Sequence, residues 1–138
     1  MAKLHARARI IQGFEIALDD GRGHCSIADQ PTETFQGQGP TPTELCIMSH
    51  AGCYATIANL VAKRMRLELK GCEVKVEAVK DENIGTVTEE NFDILFKLNA
   101  PEDSAERLHK LTLENCPVGI LFEKAGVKLT YNIRTVKE

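Results

Sequence analysis

The chain contains no Trp, two Tyr and five Phe among its 138 residues. That is too few aromatics to build a base-stacking platform for single-stranded nucleic acid. Positive charge is not in excess either: 17 basic side chains stand against 20 acidic ones, a formal net charge of −3. Such a balance does not draw in DNA, RNA or an anionic membrane surface, and none of these is expected as a partner. Met1 to Arg9 alternates polar and apolar residues and lacks the continuous hydrophobic stretch of a secretory signal, so a cytoplasmic setting is expected. No two of the five cysteines form a C-x-x-C knuckle. In a reducing compartment they read as buried apolar residues, metal ligands or redox-active thiols, not as a disulfide scaffold.

What is present is an ordinary globular composition, 43% hydrophobic and 27% charged, of a length that suits one domain over 1–138. Leu4, Ala6, Ala8 and Ile10 alternate with polar residues, the period of a half-buried strand. Phe14 to Leu18 and His24 to Ala28 read as two more strands around the turn Asp19–Gly23. Residues 29–42, rich in Gln, Thr, Gly and Pro, form a loop. Leu45 to Ala62 then runs without a single Asp, Glu, Lys or Arg. Its length is borderline for a membrane span, and Ser49, His50, Thr56 and Asn59 in its middle argue against lipid. A helix apolar on nearly all sides is a helix wrapped in protein. A chain of this length has difficulty wrapping it alone, so a second subunit is expected. Beyond it, Val74–Ala78 and Phe92–Leu98 alternate as a strand pair. Pro101–Ser104 opens a helix, Cys116-Pro117 opens a shorter one, and Val127 to Ile133 form a final strand. This order makes an α+β fold.

Four features of this chain carry candidate chemistry. Pro117 marks a first helical position, which places Cys116 at a helix N-cap or just before it, where free N–H groups favour a thiolate. Cys53 lies mid-helix beside Gly52, where burial alone leaves a thiol inert, while His50, one turn earlier, is in reach to bond it or hold charge near it. Thr41-Pro42-Thr43-Glu44 has the form of a capping box, with Glu44 reaching back to the cap; a role in orienting substrate is compatible with that. Cys46, His50 and Cys53 share one helix side, so a zinc site completed by Cys25 or Cys116 is a further, weaker alternative.

Gly39-Pro40-Thr41-Pro42-Thr43-Glu44-Leu45, followed by His50-Ala51-Gly52-Cys53, resembles the central helix of OsmC-type proteins. Cys116-Pro117-Val118, with the short helix and strand after it, resembles that family's second cysteine segment. The OsmC/Ohr superfamily comprises thiol-dependent hydroperoxide reductases with an OsmC-like α+β fold, antiparallel strands wrapped around a long buried central helix in an intertwined homodimer. The resemblance implies that Cys53 is the peroxidatic cysteine and Cys116 the resolving one. It also implies that they form a reversible disulfide without Cys25, Cys46 or Cys72, and that no cofactor is needed beyond an external dithiol reductant. Active members carry Glu directly after the helix-start Pro, where this chain has Thr43; Glu44, one position on, is rotated by about 100°. They also hold the thiolate with an Arg from the N-terminal strands; Asp20 falls near that position, with Arg22 as the available substitute. Glu44, His50 and Arg22 are therefore the expected supporting residues. The competing reading is a thiol or small-ligand binding module without significant peroxidase activity.

Overall fold

The computed structural model describes residues 1–137. Six strands and three helices follow one another as β1 (Arg7–Gln12), β2 (Glu15–Asp19), β3 (Cys25–Ala28), α1 (Pro42–Arg64), β4 (Leu69–Asp81), β5 (Thr86–Leu98), α2 (Glu102–Asn115), α3 (Pro117–Lys124) and β6 (Lys128–Val136). This is the α+β order expected, and the chain divides into two compact units, Met1–Cys46 and Ile47–Glu138.

In the first unit β1, β2 and β3 form an antiparallel sheet in that order. The expected half-burial of the first strand is not realised. It begins only at Arg7, and all six of its residues are exposed. Ile10, Ile11 and Phe14 stand in the open, while Ala17, Ala28 and Asp29 are the buried residues of the unit. A three-stranded sheet with so little apolar cover is marginal by itself. The following loop is nevertheless pinned. Asp29 accepts from the backbone N–H of Gln30 and Gln38, and donates its own N–H to the Pro40 carbonyl. A Cβ on Gly39 would stand 2.2 Å from the Ile27 carbonyl oxygen, so only glycine fits there.

That pinned loop delivers Thr41 to the start of α1. The Thr41 hydroxyl accepts from the Glu44 N–H at 3.1 Å, and the Glu44 carboxylate accepts from the Thr41 N–H at 2.9 Å. The two bonds form the reciprocal capping box expected of this segment, and the Thr41 N–H, helped by its hydroxyl, holds the Glu44 carboxyl below its ordinary range. Thr41→Ala should cost about 1 kcal/mol in unfolding free energy; an unchanged urea midpoint would show that the box does not contribute.

In the second unit α1 buries one stripe, His50, Tyr54, Ala58, Val61 and Ala62, at spacings of three and four that define one helix face. The stripe packs on Phe92, Ile94, Phe96 and Leu98 of β5 and on Ala105 and Leu108 of α2. Met48, Leu60 and other residues off the stripe are exposed, so the all-round burial expected of the apolar run is not met by this chain alone. By length and composition α1 could cross a membrane. The second sheet runs β4-β5-β6. β4 and β5 are an antiparallel hairpin, but β6 lies parallel to β5, a departure from the antiparallel pattern expected. The reason is connectivity: α2 and α3 intervene as a crossover, which returns the chain in the same direction.

Candidate active site

The second unit brings Cys53 and Cys116 together. Sγ of Cys116 lies 3.3 Å from Sγ of Cys53, with Cys116 donating. Cys53 reaches this point from the middle of α1, one turn past His50. Cys116 reaches it because α2 ends at Asn115 and the Cys-Pro step starts α3 at once. Pro117 occupies the first helical turn, where its missing N–H is no loss. Cys116 is the N-cap of α3, its sulfur accepting from the Gly119 N–H at 3.4 Å.

One expectation for this cysteine is reversed. The helix N-terminus was expected to favour the thiolate, and the Gly119 and Val118 N–H groups do act in that direction. Burial outweighs them, and with the hydrogen bond to Cys53 it pushes the Cys116 thiol up to about 11. Cys116 therefore holds its proton and offers it to the Cys53 sulfur. Cys72 is likewise raised to about 11 by burial on β4, while Cys25 and Cys46 are exposed.

His50 is 1% exposed, and its Nδ1 lies 2.7 Å from Oε1 of Glu90, which is fully buried. The imidazole is stacked on Phe122 at 4.7 Å between centroids and meets Phe92 edge-on at 4.6 Å. Its hydrogen bond thus goes to Glu90, not to Cys53. The other carboxylate oxygen of Glu90 is buried without a partner among the described residues. Gly119 lies beside both His50 and Cys116: a Cβ there would sit 3.2 Å from His50 Nε2 and 3.4 Å from Cys116 Sγ.

Sequence reasoning missed Glu90, although the signal was available. Residues 90, 92, 94, 96 and 98 share one face of β5, and all five are buried. A carboxylate in phase with Phe92, Ile94, Phe96 and Leu98 is a charge pointed into the core. Sequence reasoning also missed the bond from the Tyr54 hydroxyl to His109 Nδ1, 2.6 Å long, with Tyr131 edge-on to the same imidazole at 5.0 Å. Burial lowers the His109 pKa from 6.5. The folded state therefore binds this proton less readily than the unfolded chain. Its contribution is intact above about pH 6.5 and is lost as pH falls through the lower folded value. Thermal unfolding should show a Tm that declines on acidification below about pH 6.5, and His109→Phe should flatten the decline; a parallel curve for the variant would reject this cause.

Arg22 and Glu44 belong to the first unit. Arg22 sits in the β2–β3 turn with its guanidinium 3.6 Å from the Asp20 carboxylate. Hydrogen bonds from the Arg22 N–H and from His24 hold Asp20 down at about 2. Among the described residues no three His, Cys, Asp or Glu side chains converge as metal ligands.

A two-unit α+β chain with a thiol pair at the junction of its long helix and an N-capping Cys-Pro step defines a dithiol protein. Residues 35–132 match the OsmC-like protein family, and the chain belongs to that family. It is 25% identical over 136 residues to protein YhfA of Escherichia coli K12, covering 96% of this chain and 98% of that protein. Its fold is shared with an OsmC-like protein from Mycoplasma pneumoniae, with a TM-score of 0.87 at 16% identity over 98% of both chains. It is shared also with the organic hydroperoxide resistance protein OhrB of Bacillus subtilis, with a TM-score of 0.69 at 20% identity over 96% of this chain and 98% of that one.

Proposed function

We propose that this protein is a redox protein of oxidative stress, a cysteine-based peroxidase that reduces organic hydroperoxides. The observation that carries the reading is the 3.3 Å approach of the two sulfurs. The reacting form of a peroxidatic cysteine is the thiolate. That thiolate attacks the distal oxygen of ROOH: an S–O bond forms, the O–O bond breaks, and the alkoxide leaves as ROH after taking a proton. Cys53 is oxidised to the sulfenic acid. Cys116 sulfur then attacks Cys53 sulfur, the S–O bond breaks, and hydroxide leaves as water with the thiol's proton. Closing the disulfide brings the sulfurs from 3.3 Å to about 2.05 Å. An external dithiol returns both cysteines to thiols, and no cofactor takes part.

The name of the Bacillus relative by fold agrees with this reading. The supporting residues divide by what they touch. Glu44 fixes the start of α1 through Thr41 and so sets the register that carries Cys53. His50 acts through the Glu90 pair. Arg22, turned toward Asp20, is assigned only the charge of its own turn. We also propose a cytoplasmic homodimer, because α1 keeps an exposed apolar face and the first sheet has almost no cover of its own.

The test is consumption of cumene hydroperoxide under excess dithiol, comparing parent with Cys53→Ser. The parent should consume peroxide and the variant should not. Equal rates reject the peroxidase and leave a dithiol or small-ligand binding module on the same scaffold.

A further inference from the structure

We propose that His50, oriented by Glu90, is the base that takes the proton from Cys116 when this thiol attacks Cys53. The inference deepens the peroxidase reading and rests on its pairing of the two cysteines. Three observations support it. The Cys116 proton must leave for its sulfur to attack, and the Cys53 sulfur that now accepts its hydrogen bond cannot take that proton once it is oxidised. A buried thiol at about 11 does not lose that proton to water at useful rates near neutrality.

Second, His50 is arranged as an acceptor. In the tautomer that donates from Nδ1 to Glu90, 2.7 Å away, Nε2 keeps the lone pair. Nε2 is the atom that faces the Gly119 backbone, as does the Cys116 sulfur. Glu90 is a positioning residue: it fixes the tautomer and, as a carboxylate, steadies the imidazolium that forms. Its second oxygen, buried and bare, is an expensive feature for a purely structural residue.

Third, residue 119 has no side chain although it lies inside α3, where alanine is favoured by about 1 kcal/mol. A methyl group there would crowd both Nε2 and Sγ. The missing side chain leaves space between them for transfer through one water.

In the peroxide cycle the S–S bond forms as the S–O bond of the sulfenic acid breaks. The proton passes from Cys116 to His50 and on to the departing hydroxide, which leaves as water. The ionisable groups around the cluster are Glu90 on β5, Tyr131 on β6, Glu123 on α3, Tyr54 on α1, His109 on α2 and Cys72 on β4. Burial raises Tyr131 to about 12 and Tyr54 further still, so neither phenol is a base near neutrality.

The test uses 5,5′-dithiobis(2-nitrobenzoate) on full-length protein carrying Cys25→Ser, Cys46→Ser and Cys72→Ala, and needs no peroxide. Capture of Cys53 releases one thionitrobenzoate. Attack by Cys116 on the mixed disulfide then breaks its S–S bond, forms the protein disulfide and releases a second. His50→Gln and Glu90→Gln should keep the first phase and slow the second at least tenfold. The second phase should rise more steeply with pH in His50→Gln than in the parent, approaching about tenfold per unit as hydroxide becomes the base. A packing defect would lower the rate without changing that slope. Gly119→Ala, a substitution helix propensity favours, should also slow the second phase. If Glu90→Gln and His50→Gln retain the parent rate and slope, the inference is overturned while the dithiol reading stands. If the parent releases only one equivalent, the pairing of Cys53 with Cys116 fails, and the inference falls with it.

Discussion

Cys116→Ser should complete one turnover with hydroperoxide and then stop. Its Oγ–H retains a donor 3.3 Å or so from where Cys53 Sγ lies, so the first oxidation should proceed within a few-fold of the parent rate. The serine cannot form a disulfide, and the Cys53 sulfenic acid is left to a slow attack by external dithiol or to a second peroxide. Steady-state consumption should therefore fall by about two orders of magnitude. At high peroxide Cys53 should pass irreversibly to the sulfinic acid, a gain of about 32 Da over the thiol from two added oxygen atoms. Cys116→Ala separates the two duties of the residue, because it removes the hydrogen bond as well as the nucleophile. Its first oxidation should be slower than that of the serine variant. If both variants turn over at the parent rate with dithiol, resolution does not pass through residue 116.

Local chemistry made much of this site legible. The capping box of Thr41 and Glu44 is a pattern of four adjacent residues, and its bonds close within one turn of helix. The Cys-Pro step is equally local, since it needs only the fixed φ of Pro117 to start α3. The uncharged run to Ala62 identified the central helix, whose buried stripe then follows from the helical period. The readings that departed from the structure depended on what lies across space. Alternation in Leu4–Ile10 shows that a strand has an apolar side, but not that another surface within this chain covers it. The N-cap of Cys116 is a local fact; the burial that reverses its effect on the thiol is supplied by neighbours remote in sequence. His50 was visible as a polar residue in an apolar helix, but its partner lies 40 residues away on β5. Such a partner is found only by asking which charge breaks the inward phase of a buried strand, and Glu90 does so.

The largest stability effects should come from breaking that pair. Glu90→Ala leaves the His50 Nδ1 proton without its acceptor inside a shell of Phe92 and Phe122. His50→Leu leaves Glu90, one of whose oxygens is already unpartnered, without any bond to its side chain among the described residues. Each change should cost about 3–5 kcal/mol, the usual result of stranding one member of a buried pair. Replacing both, with His50→Leu and Glu90→Leu together, removes the stranded group in each case. The double variant should recover most of the loss and approach or exceed the parent, giving a coupling of several kcal/mol. Urea unfolding at one fixed protein concentration measures the cycle. Single variants that each lose less than about 1 kcal/mol, with an additive double, would show that the pair is not a coupled buried unit. The double variant also separates stability from chemistry. Folded as well as the parent but lacking the imidazole, it should capture aryl disulfide at Cys53 and close the Cys53–Cys116 bond slowly. A stable protein that closes slowly would place the need for His50 and Glu90 in the proton transfer and not in the core.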